Sequence, residues 1–414
     1  SLLPEDLPES GLLSLAFAVR QAGGQVSASY VRWWYPQQIA ASTILTQKTI
    51  YPFDDTALPL ADSLRYYDVT VPQAPRQLLS AQAPPATRNT SSILIVRAPL
   101  SVPNLRSVKF RDIDSVQTDY LIVSHPLVRK AIPDSPDPVA GYAAYRASDA
   151  GGNFTPLVLN ADEVADQFNY GEPGPLGTRR LMHWLHHRAR LRYVLLVGRS
   201  RSPQIVRQQA NARDQDMIPS AGWPDSDIAL GMGLDPARPG VPLVPIGRIN
   251  ADGPQQVWDY LQKVKQHEAA LPAEPWRKNV LHLSGGRSAE ELIQFRNFVD
   301  DYAGLIDSSG VAPRLRTVSK QTDEPVERFD IAPQVNQGVA LMTLFGHSSL
   351  NITDIDIGFA SNNALGYRNA GRYPAVLVNG CALGNFYFGP TPISTDCIRF
   401  LKRSINYVLA HSCF

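Results

Sequence analysis

The chain is short of cysteine. Its 414 residues include only Cys381, Cys397 and Cys413, all within the last 34 positions. So late a cluster is no disulfide framework for a chain of this length. Cys381 reads as a free reactive thiol, and Cys397 and Cys413 read as small apolar core residues. Spacing alone does not show whether those two pair with each other. The chain also lacks an excess of charge, with 39 Lys and Arg against 38 Asp and Glu. That balance gives no general reason to expect nucleic acid or an anionic membrane as partner. No uncharged apolar run reaches the roughly 18 residues that a membrane-spanning helix needs. The first residue is Ser1, so the chain reads as a mature or trimmed product, in which a missing leader says nothing about export. Internal repeats and low-complexity tracts are absent.

What is present is an ordinary globular composition. Apolar residues make up 44% and charged residues 19%, enough to fill a core. At roughly 100–200 residues per domain, the length suggests two or three domains. Residues 1–113 carry strand-like runs at Val26–Trp34, Leu64–Val71 and Ser92–Arg97. Pro-rich breaks at Val71–Pro75 and Ala83–Ala86 separate them, so this part reads as an all-β, sandwich-like domain. From 114 to 414 the texture changes. Short apolar runs at Asp119–Ser124, Thr155–Leu159, Arg192–Gly198, Val241–Ile249, Lys278–Ser284, Val339–His347, Ala375–Cys381 and Ile405–Ala410 read as strands. They alternate with helix-like stretches such as Leu176–Leu191, Gln255–Ala270 and Glu290–Leu305. That alternation predicts an α/β domain with a mostly parallel sheet and helices on both faces. The last strand runs almost to Phe414, and the chain reads as continuing beyond it.

In open parallel sheets, ligands gather beyond the C-terminal strand ends. Two reactive side chains fall there. One predicted strand ends in Gly346-His347-Ser348-Ser349, the other in Asn379-Gly380-Cys381-Ala382. The 34-residue separation of His347 and Cys381 suits one crossover with a helix and its loops. On neighbouring strands, imidazole and thiol can face each other. A free thiol is only a few per cent thiolate at neutral pH, and a nearby imidazolium raises that fraction. The imidazole then protonates a leaving amine. Gly346 and Gly380 permit tight turns and close approach of a peptide, and the amides of Ser348 and Cys381 can cradle an oxyanion.

The segments Leu344-Phe345-Gly346-His347-Ser348-Ser349 and Val378-Asn379-Gly380-Cys381-Ala382-Leu383-Gly384-Asn385-Phe386 resemble the histidine and cysteine motifs of the gingipain-type cysteine peptidases. Asp119–Pro126, Gln167–Gly171, Tyr193–Gly198, Pro245–Ile249, Trp276–Gly286 and Asp354–Gly358 follow in the family's order. The resemblance covers roughly residues 115–414 and implies a caspase-like fold. Phe345–Ser348 with Asp354–Gly358 is most similar to the sortase-like branch associated with the type IX secretion system. That branch implies a bacterial extracellular or outer-membrane, cell-surface location. It implies protein substrates, processed at C-terminal sorting segments, and contact with other secretion components and a surface polysaccharide. No cofactor is implied as required. Family members can bind calcium, and Asp214, Asp216, Asp225 and Asp227 are dense enough to suggest it, although an exposed acidic loop is the plainer reading.

The departures are informative. The family usually has Gly after its histidine, where this chain has Ser348. Ser284 stands at the strand end where the family places the carboxylate that orients the histidine. A His/Cys dyad is therefore expected, or orientation by Asp354 or Asp356, which read first as turn or capping residues. An Asp that would read a basic substrate side chain is not evident in Arg287–Phe295, so arginine specificity is not expected. Two other readings stand beside the peptidase: a surface or assembly module of the same fold without catalysis, and a thiol acyltransferase on small substrates. His183, His186 and His187 share one helix face, but without a zincin Glu or a second ligand set they read as solvated.

Overall fold

The structure, a computed structural model, describes residues 47–50, 64–71, 74–78, 93–96, 107–113, 117–388 apart from 210, 223, 308, 309 and 311, and 407–411. The chain divides into two compact units, Ser1–Ser107 and Val108–Phe414.

In the first unit, β1 (Gln47–Ile50), β2 (Arg65–Asp68), β3 (Arg76–Leu78) and β4 (Ile93–Val96) form an antiparallel sheet in the order β1-β4-β2-β3. Tyr66 and Ile95 sit opposite each other on its buried face. Strands β2 and β4 fall inside two of the expected runs. The third run, Val26–Trp34, lies outside the described residues.

The second unit holds two parallel sheets and a short ribbon, where the sequence suggested a single sheet. The first sheet contains β5 (Tyr120–Ser124), β6 (Pro156–Asn160), β7 (Tyr193–Val197) and β8 (Ile246–Ile249), in the order β6-β5-β7-β8. Its helices are α1 (Pro138–Ala147), α2 (Ala161–Phe168), α3 (Pro175–Arg188), the short α4 (Pro203–Gln208) and α5 (Pro254–Ala269). Alternating side chains explain why both faces are covered. Leu121 and Val123 of β5, with Val194 and Leu196 of β7, pack with Val164 of α2 and Leu181 and Leu185 of α3. Ile122, Leu195 and Val197 point the other way, onto Val139 and Tyr142 of α1 and Val257 and Leu261 of α5. Asp137 caps α1 by accepting from the amides of Val139 and Ala140. Strand β8 starts later than its apolar run, because Pro242 and Pro245 lack the amides a ladder uses.

The second sheet contains β9 (Asn279–Ser284), β10 (Arg314–Ser319), β12 (Leu341–Phe345), β14 (Ala375–Asn379) and β15 (Tyr407–His411), in the order β10-β9-β12-β14-β15. The two-residue strands β11 (Glu327–Arg328) and β13 (Ile355–Asp356) pair beside it. Leu281, Leu283, Met342, Leu344, Val376 and Val378 form one face and pack with Ile331 and with Val335 of α7 (Ala332–Gln337). Helix α6 (Ala289–Asp307) packs against β9, β10 and β12. Among the described residues, no helix is long and apolar enough to cross a membrane.

Candidate active site

Three strands of the second sheet end in step. Phe345 of β12 pairs with Ser284 of β9 on one side and with Asn379 of β14 on the other. One more backbone bond follows on each side, from Gly285 N to Phe345 O at 2.8 Å and from Gly346 N to Asn379 O at 3.1 Å. The ladder then stops. His347 and Cys381 are the next residues out on two strands that are hydrogen-bonded neighbours. Register therefore sets His347 and Cys381 at matching positions just past the ends of adjacent strands. Cys381 is a free, exposed thiol. Cys397 and Cys413 lie outside the described residues.

The loops past the ladder are packed without slack. A Cβ on Gly346 would overlap the carboxylate of Asp354, and one on Gly380 would overlap the Ser348 hydroxyl. Asp354 is fully buried. Its amide donates to His347 O at 2.8 Å, and its Oδ2 accepts from Gly286 N at 2.8 Å. Asp354 thus braces the backbones of two loops and does not orient the imidazole. Asp356 accepts from Gly358 N at 2.8 Å and serves a turn. Ser284 is buried, and its hydroxyl has no partner among the described residues.

The carboxylate on the imidazole comes from a residue that the sequence reading missed. His347 Nε2 lies 3.0 Å from Glu291 Oε2. With an ionised carboxylate at Nε2, that nitrogen carries the proton, and Nδ1 keeps its lone pair. Glu291 belongs to the first turn of α6. Ser288 Oγ accepts from Glu291 N at 3.2 Å, and Glu291 Oε2 accepts from Arg287 N at 2.8 Å. This is a variant capping box, Ser288-x-x-Glu291, and the motif was legible as a helix start. Its second use was not, because it depends on α6 starting beside the end of β12. The Arg287 amide first, then the His347 ring, hold the Glu291 carboxyl below its ordinary value. One turn along α6 from Glu291, Phe295 packs on the imidazole, with ring centroids 5.5 Å apart.

The expected oxyanion donors remain available. Ser348 and Thr353 form an isolated antiparallel bridge, but its bonds run through the flanking residues, Asp354 N to His347 O and Ser349 N to Ile352 O. The Ser348 amide therefore points away from the bridge. Neither it nor the Cys381 amide has a hydrogen-bond partner among the described residues. The far end of the cysteine loop is tied to the segment that follows β7. Tyr387 is 4% exposed, its carbonyl accepts from Ser202 N at 3.3 Å, and its hydroxyl lies near Ser220. Burial, with Asp227 nearby, pushes its phenol up.

Of the four acids read as an exposed loop, Asp214 is exposed and Asp216, Asp225 and Asp227 are partly buried. Asp227 forms a two-pronged pair with buried Arg248, at 2.7 and 2.8 Å. Asp216 accepts from Ser200 Oγ and Arg201 N, and burial raises its carboxyl above the ordinary value. Protein donors occupy both acids, and among the described residues no group of three His, Cys, Asp or Glu could hold a metal. On α3, His183 Nε2 and His187 Nε2 are 3.1 Å apart. They line a hollow of about 600 Å³ together with Arg179, Arg180 and Arg188. One imidazole donating to the other accounts for the distance, and three guanidinium groups oppose a cation there.

Comparison with known proteins agrees with this architecture. The chain has the fold of the Arg-specific cysteine proteinase gingipain R (RgpB), with a TM-score of 0.51 and 16% identity over 73% of this chain and 64% of that one. The complex of RgpB pro- and mature domains from Porphyromonas gingivalis gives the same TM-score and identity over 70% and 63%. The chain therefore spans a little under two thirds of the length of those structures. This is the caspase-like α/β arrangement expected from the motifs. No curated protein matches the chain. The model of peptidase family C25 matches residues 113–410, most of the chain, including both strand ends just described. The chain belongs to peptidase family C25.

Proposed function

We propose that this chain is a cysteine endopeptidase with Cys381 as nucleophile and His347 as general acid and base. The observation that carries this reading is the in-step ending of β12 and β14, with an exposed thiol on one and a carboxylate-bound imidazole on the other. Nδ1 of His347 takes the thiol proton. The thiolate attacks the scissile carbonyl carbon, and the oxyanion is stabilised by the Ser348 and Cys381 amides. The C–N bond breaks as His347 returns the proton to the leaving amine, which leaves a thioester on Cys381. Water, activated by the same imidazole, hydrolyses the thioester; an amine in its place gives transpeptidation. Glu291 holds the imidazole in the working tautomer. On the sortase-like reading, the substrates are C-terminal sorting segments of proteins exported by the type IX system, and the acceptor amine belongs to a surface polysaccharide. The resemblance of Phe345–Ser348 and Asp354–Gly358 supports that finer reading.

The non-catalytic alternative drew on Ser284 in place of an acid, and Glu291 supplies a carboxylate from another element. An open thiol also suits a peptide better than a small acyl substrate held in a closed pocket. The test is the alkylation of the full chain with iodoacetamide across pH, together with hydrolysis of a peptide library. Cys381 should react far faster than free cysteine near neutral pH, and Cys381→Ala should abolish cleavage. A Cys381 no more reactive than free cysteine sinks the proposal.

A further inference from the structure

The last backbone rung between the two reactive strands is Gly346 N to Asn379 O. One further bond crosses the seam beyond it, and it is made by a side chain. Ser348 Oγ donates to Cys381 O at 2.7 Å. It joins the residue after the base to the nucleophile itself. The neighbouring positions are shaped around it. Gly380 leaves the room that the hydroxyl occupies. Ala382, with φ +56°, holds a left-handed backbone that a residue with a Cβ enters at a cost of about 1 kcal/mol. Fixing the Cys381 carbonyl fixes the plane of the Cys381–Ala382 peptide between those two positions. Cys381 is exposed, so surrounding packing does little to hold it.

We propose that the Ser348 hydroxyl is a positioning residue that sets the backbone of Cys381, so that the thiol meets the imidazole of His347. This rests on the assignment of His347 and Cys381 as the reacting pair. The hydroxyl touches no substrate and acts through Cys381. Stabilisation of a thiolate by an imidazolium falls off with separation, and misplacement of a reacting group by about 1 Å can cost as much as 100-fold in rate. The role is separate from that of the Ser348 amide, which every substitution except proline retains.

The test compares the intact chain with Ser348→Ala, Ser348→Gly and Ser348→Thr. The pH dependence of Cys381 alkylation, and kcat and KM on a cleaved peptide, are measured for each, with the melting temperature as a check on folding. Ala and Gly should move the alkylation midpoint up, towards the value of about 8.5 for a free thiol. They should lower kcat roughly tenfold or more while KM changes little. Thr keeps the hydroxyl and should restore both. Ala and Gly variants that match the parent in midpoint and kcat overturn the proposal and leave the catalytic pair standing. A parent Cys381 that alkylates like free cysteine overturns both.

Discussion

Glu291 Oε2 accepts from the Arg287 amide and from the His347 ring, so a helix cap and the contact to the proposed base share one oxygen. The two side chains are about a third exposed, which screens the pair and limits its strength. A hydrogen bond to a charged group is worth about 1.5–3 kcal/mol. Allowing for screening, Glu291→Gln should lower kcat by about tenfold, well short of the loss of Cys381 itself, with KM nearly constant. Steady-state kinetics check this. Because the folded carboxyl titrates below its ordinary 4.5, its contribution is whole above that pH. The contribution is lost as pH falls through the lowered folded value. His347 and Cys381 were legible in the sequence because each follows an apolar strand and a glycine. Glu291 was hidden because the capping box accounts fully for its place in the sequence.

At the scale of elements, the site depends on three strands that stop together and on glycines that let their loops close over Asp354. Gly346→Ala would drive a methyl group into that buried carboxylate. Overpacking of this kind costs about 1–3 kcal/mol. The melting temperature should fall by several degrees, and cleavage should weaken, since His347 is the next residue. A variant with parental melting and activity would show that Asp354 yields easily. Most strands of the second unit were readable from their apolar runs. Their order was not: β5 precedes β6 in the chain yet lies between β6 and β7. Nor was the break into two sheets, because a repeating strand–helix pattern continues unchanged through α5 while the chain leaves one sheet for the other.

At the scale of the whole molecule, the histidine buried in the second sheet links folding to pH. His282 is fully buried on β9, with Nδ1 2.6 Å from Thr343 Oγ1. Burial lowers its pKa below the ordinary 6.5. The unfolded chain therefore binds a proton more readily than the folded one, and stability falls as pH drops below about 6.5 towards the folded value. Urea midpoints at pH 7.5 and 5.5 should show this loss, and His282→Gln should reduce it; an unchanged slope would exclude His282 as its source. Composition gave no hint of this, because burial of a single histidine depends on the sheet that closes over it.

Tyr387 carries a consequence for how the proposed activity would be lost. The segment between β7 and β8 offers no reacting atom to the proposed pair, yet it grips the far end of the loop that bears Cys381. Separation of the two sheets would pull on that loop and disarm the thiol while β12 and β14 remained paired. Inactivation would then precede melting of the catalytic sheet. Amide exchange would reveal that order, with early labelling around Ser202 and Ser220 tracking the loss of activity.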